Sequence, residues 1–121
     1  MADAVTTIKE VAGICRNVSE GLGEFASEKG AADAKNRLAK IADGLDNISG
    51  KLFFKTKAAL PFVSPLADYA QQLSDSFDEL KGAPANKRSG LMGDLVAAVD
   101  DLDNDHGVLQ AKVASQDIII T

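Results

Sequence analysis

Apolar residues recur along this chain in alternating steps of four and three. Between residues 4 and 26 the series is Ala4, Ile8, Val11, Cys15, Val18, Leu22 and Phe25, with Lys9, Glu10, Arg16, Glu20 and Glu24 falling between. Such spacing lays one apolar stripe along a helix, because about 3.6 residues complete a turn. The alternation is regular enough for a coiled-coil-like seam. Gly30 follows as a C-terminal cap, since a residue without Cβ enters the left-handed region at little cost. The pattern predicts a first helix over residues 3–28.

Ala34, Leu38, Ile41, Leu45, Ile48 and Leu52 repeat the rhythm opposite Lys35, Arg37, Lys40 and Asp43. A second helix is expected over residues 31–50, or as far as 59 if Gly50 is carried inside it at a cost of ~1 kcal/mol. The short connection at Gly30 makes the first two helices an antiparallel hairpin. Leu60 precedes Pro61 and is biased away from helix, whereas Ser64 and Pro65 read as the N-cap and first-turn proline of a third helix over 65–81. Its stripe is Leu66, Tyr69, Leu73, Phe77 and Leu80.

Gly82, Pro84 and Asn86 mark a loop, and a fourth helix over 87–105 carries Leu91, Leu95, Val99 and Leu102. The same phase runs on through His106, Leu109 and Val113, while Asn104, Asp105 and Gly107 favour an interruption. The expectation is a break or kink near His106 and Gly107. Residues 107–116 then form a continuation or a separate short helix. The whole reads as all-α: one domain over residues 1–121, an antiparallel four-helix bundle of up-and-down topology. A Pro-containing crossover joins helices two and three, and an extra helix or tail follows the fourth.

Composition narrows the function more than it names it. At 121 residues, 45% of them hydrophobic and 26% charged, the chain suits a single globular domain. Aromatics are 5% and Trp is absent, so the core is aliphatic. The net charge of −5 argues against nucleic acid, a polyanion that repels it at long range. Cys15 is the single cysteine and forms no internal disulfide, which favours a reducing compartment. No cationic start followed by an apolar run marks a signal peptide, and no stretch of 18 apolar residues would span a bilayer. A cytoplasmic address is the expectation.

Catalytic chemistry has little to stand on. Cys15 and His106 both fall on core stripes, and a thiolate–imidazole pair would need them adjacent in an environment that stabilises the thiolate. Serine-nucleophile motifs, phosphate-cradling glycine loops and zinc-ligand spacings are missing. The expectation is no enzyme, no catalytic residue and no cofactor. Asp101, Asp103 and Asp105 stand at the first, third and fifth positions of a stretch that resembles an EF-hand calcium loop, with Val108 at the apolar eighth. His106 sits where that loop needs glycine, and Lys112 sits where it needs a bidentate glutamate. These three aspartates are kept as a calcium alternative.

The crossover KLFFKTKAALPFVSPLADYA, residues 51–70, concentrates Phe53, Phe54 and Phe62 with Lys51, Lys55 and Lys57. The plainer reading is that Phe53, Phe62 and Val63 plug one end of the bundle while the lysines reach outward to acids such as Asp75. The sharper one is a cationic amphipathic surface for anionic lipid, worth about 3 kcal/mol from three lysines. In architecture alone, the four-helix layout with its apolar first helix resembles the membrane-targeting bundles of cell-death executioners, with no motif carrying the likeness. Two functions are therefore expected. The first is a non-enzymatic interaction or assembly module that binds itself or another protein through Phe53, Phe54 and Phe62 and through Ile118, Ile119 and Ile120. The alternative is a membrane-active bundle that uses Lys51, Lys55 and Lys57.

Overall fold

The computed structural model describes residues 4–51 and 59–120, the last five by backbone path alone. Helix α1 runs Ala4–Gly21 and passes into a 3-10 turn at Leu22–Phe25; α2 is Ala31–Ile48, α3 Leu60–Gly82 and α4 Ala85–Ile120. The fold is all-α, and each helix runs antiparallel to the one before it.

Every helix buries a seam with the four-three rhythm. The seams are Ala4 to Phe25 on α1, Ala31 to Leu45 on α2, Val63 to Leu80 on α3 and Met92 to Val113 on α4. Their side chains join one continuous core. A repeat of 3.5 residues keeps such a seam facing its neighbours along the whole length of a helix. Each fully buried Leu or Ile contributes roughly 1.5–3 kcal/mol of burial, so these stripes carry most of the stability. The α1–α2 hairpin is also pinned by polar groups. The Ser19 hydroxyl donates to the Lys35 carbonyl at 2.9 Å, and Lys35 Nζ donates back to the Ser19 carbonyl at 3.0 Å. Gly30, at φ 92°, turns the chain into α2 and leaves its carbonyl to accept from the Ala34 amide at 2.9 Å.

Helix α1 packs on α2 and α3 on α4; the two hairpins then meet through α1 against α3 and α2 against α4. Both of these meetings join helices of like direction. The Phe25 and Phe77 rings approach edge to face at 6.2 Å, near the C-terminal ends of α1 and α3. Along α2 and α4, Gly30 lies by Val96, Arg37 by Asp100 and Asp103, and Gly44 by His106. The consecutive helices α2 and α3 therefore occupy opposite corners.

Four boundaries differ from the sequence reading. Helix α3 begins at Leu60, with Pro61 in its first turn and Pro65 inside the helix instead of opening it. Ser64 is not a cap; its hydroxyl donates to the Leu60 carbonyl at 3.0 Å. An internal proline forfeits a backbone bond, but the seam phase already starts at Ala59 and Val63, both buried, and holds the chain helical. Helix α4 is unbroken through His106 and Gly107, and at 36 residues is about 54 Å long. Burial of His106, Leu109 and Val113 in phase with Leu102 outweighs the poor propensity of Asn104, Asp105 and Gly107. Lastly, α1 is α-helical only to Gly21, and α2 ends at Ile48, with a turn following. Two seam positions also shift: Ala70 and Met92 are buried, while Tyr69 and Leu91 sit half-buried at the flanks.

Candidate functional site

Of the sequence-predicted residues that are described, Lys51 and Phe62 stand where α2 ends and α3 begins. Phe62, near the start of α3, is half-buried against the core, and Lys112 of α4 places its ammonium 5.4 Å from the ring centre. That contact sets residues 108–112 of α4 level with the first turn of α3. Val63 is buried as the plainer reading requires, but Asp75 accepts from the Gln71 amide at 3.0 Å, a partner on its own helix. Lys51 is exposed beyond the end of α2. Phe53, Phe54, Lys55 and Lys57 lie outside the described residues, and Ile118–Ile120 form the last turn of the α4 backbone. Among the described residues the exposed large hydrophobics are Leu60, 37% accessible, and Val108, 57% accessible. Leu60 belongs to this end, and Val108 stands about one turn before Lys112 on α4.

The calcium alternative has no loop to occupy. Asp101, Asp103 and Asp105 stand on unbroken helix, where alternate residues diverge around the axis, and Asp103 is engaged by Arg37 at 3.2 Å. Among the described residues no cluster of His, Cys, Asp or Glu could hold a metal ion. Cys15 is fully buried; desolvation pushes its thiol up to about 12, with Arg16 opposing, so it stays protonated and unreactive at neutral pH.

The contacts between the hairpins hold what the spacing argument missed. At the α1–α3 contact, the tip of the Phe77 ring approaches Gly21 so closely that a Cβ on that glycine would stand 2.2 Å from Cζ. Lys81 caps the same ring at 5.0 Å from its centre. A groove of about 270 Å³ opens beside it, lined by Ile14, Asn17, Val18, Ser74, Phe77, Asp78 and Lys81. Its charges are already spent, because Lys81 pairs with Asp78 at 3.3 Å.

At the α2–α4 contact, His106 takes the equivalent place over Gly44. A Cβ there would stand 2.5 Å from the imidazole Cε1 and 2.6 Å from Nε2. The ring is 7% accessible, and its Nε2 is buried with no hydrogen-bond partner among the described residues. Desolvation lowers its pKa, while the Asp103 carboxylate pulls the other way. Nearby, Arg37 reaches Asp100 at 2.6 Å, Asp103 at 3.2 Å and Asp33 at 3.9 Å. Those carboxylates raise the guanidinium pKa, most strongly through the Asp100 hydrogen bond. Asp105 buries one unpaired oxygen, and desolvation pushes its carboxyl above the usual range. The sequence signal for this cluster was a histidine in phase with an apolar stripe, opposite a helix carrying an unexplained internal glycine.

Among the described residues no helix is long and apolar enough to cross a membrane. Comparison with known protein families, with curated proteins and with solved structures gave no match for this chain.

Proposed function

We propose that this chain is a non-enzymatic helical interaction module, acting in the cytoplasm, that self-associates or docks a protein partner through the end of the bundle where α3 begins. One observation carries the reading. Leu60 and Val108 are the exposed large hydrophobics among the described residues; Leu60 opens α3 two residues before Phe62, and Val108 stands about one turn along α4 from Lys112, which covers the Phe62 ring. The helical stripes add no surface of this kind, since the bundle covers them internally. Exposed apolar groups that collect in one place mark contact surface.

Sedimentation velocity at high micromolar concentration tests this. The expected result is a mass above the monomer, reduced to monomer by Val108→Glu or Leu60→Glu. A wild-type monomer throughout counts heavily against self-association. Lipid is the second reading, favoured by exposed Lys51 and by Lys112 over the Phe62 ring at this same end. Its expected signature is cosedimentation with anionic vesicles that weakens with salt and is lost on Lys→Glu changes at Lys51, Lys55 and Lys57. Equal binding to neutral and anionic vesicles would sink it.

A further inference from the structure

We propose that the α2–α4 contact is an acid-labile latch: the unpartnered Nε2 of His106, packed on the bare Cα of Gly44, releases the two helices when the ring takes up a proton. His106 occupies a core position of α4 between Leu102 and Leu109, both buried, where the other members are apolar. A neutral imidazole fits there as a flat, weakly polar plug, because Gly44 offers no side chain to collide with it. An imidazolium does not fit. It carries a donor on each nitrogen and needs an acceptor at both, and no described protein group accepts from Nε2. Burying a charge without a hydrogen-bonding partner is costly, so the protonated ring favours any conformation that wets it.

The surrounding charges decide whether the cost is relieved in place. On its own helix Asp103 favours the charged ring, but the Asp103 carboxylate is held by Arg37 of α2, whose own positive charge faces the same contact. From α2 the ring otherwise meets Gly44. Gln110 brings its side-chain nitrogen to 3.3 Å from where a Gly44 Cβ would stand. Asp105, next to the histidine, titrates in the opposing sense, because a carboxyl raised by burial gains its proton more readily when folded. Of the described groups, Asp103 is the one whose charge acts on the ring, and desolvation outweighs it.

The sign follows. A histidine whose folded pKa is depressed binds its proton more readily once the contact opens, so opening is favoured as pH falls below the ordinary imidazole value of about 6.5. The effect is bounded at about tenfold in the opening equilibrium per pH unit for one proton. The latch is independent of any self-association.

The chain has a single histidine, which gives the experiment an unambiguous signal. Hydrogen exchange on the full chain, corrected for intrinsic rates, is expected to show amides around Gly44 and His106 opening up to about tenfold more at pH 5.5 than at pH 7.5. His106→Leu, which fills the seam without a titratable group, is expected to lose that rise. An equal rise in wild type and variant overturns the latch. Should the variant not fold, proton NMR of the wild-type ring decides: a midpoint well below the ordinary imidazole value supports the latch, and a midpoint at or above it overturns the latch.

Discussion

The two places where the hairpins meet solve one packing problem with different chemistry. On the α1–α3 side a glycine, Gly21, receives the Phe77 ring; on the α2–α4 side another, Gly44, receives the His106 ring. In each case a missing Cβ lets the outer edge of an aromatic ring come close to the backbone of a helix of like direction. The first contact is built on an aromatic pair, Phe77 backed by Phe25 at 6.2 Å, with Lys81 over the Phe77 ring and Arg88 over the Phe25 ring. The second is ringed by Arg37, Asp100 and Asp103 and holds a nitrogen with nothing to bond. Shape complementarity alone would make them equivalent. Their response to solvent conditions separates them, because only one plug can change its charge.

Phe77→Ala should separate the two sides most. It removes the α1–α3 plug and is expected to cost ~3–5 kcal/mol by urea unfolding, with little change in that cost between pH 7.5 and 5.5. A cost that grows on acidification would break the contrast. Gly21→Ala and Gly44→Ala come next, at ~1–3 kcal/mol each, because each new methyl displaces a packed ring. The Gly44→Ala penalty should shrink in a His106→Ala background, and the Gly21→Ala penalty should not. If both shrink, the sides are coupled through the core and the comparison fails.

Acidification is the third test. Wild type is expected to lose up to ~1.4 kcal/mol per pH unit below about pH 6.5 through His106, a loss absent from His106→Leu. The smallest effect belongs to Arg37→Gln. Its side chain is 27% exposed beside carboxylates more exposed than itself, so about 0.5–1 kcal/mol is expected at low salt. That loss should fade in 1 M salt, where screening acts within about 3 Å. A salt-independent cost would show that Arg37 acts by packing.

The four-three rhythm made the bundle legible, because burial on every helix follows one physical rule and each stripe states it several times over. It failed where a local rule and the long-range rule disagreed. Ser64 and Pro65 satisfy the chemistry of a helix start, yet Ala59 and Val63 are buried in phase before them, so packing set the boundary. Asn104, Asp105 and Gly107 satisfy the chemistry of a break, yet His106, Leu109 and Val113 continue the seam. Which helices touch could not be read from spacing, since a stripe points towards a core without naming its neighbour. The partnership of Gly44 with His106 lay beyond reach for that reason. Phe62 was expected in a crossover, and it stands instead in the first turn of α3, half-buried against the core.

The placement of α2 and α3 on opposite corners has a consequence for assembly. Each hairpin, residues 4–48 and residues 60–120, closes one antiparallel pair and looks to the other hairpin for its remaining faces. A second copy of the chain carries identical faces. Trading hairpins between two molecules would thus satisfy every seam with no new complementary surface, and the tether between the halves would choose between a lone molecule and an intertwined pair.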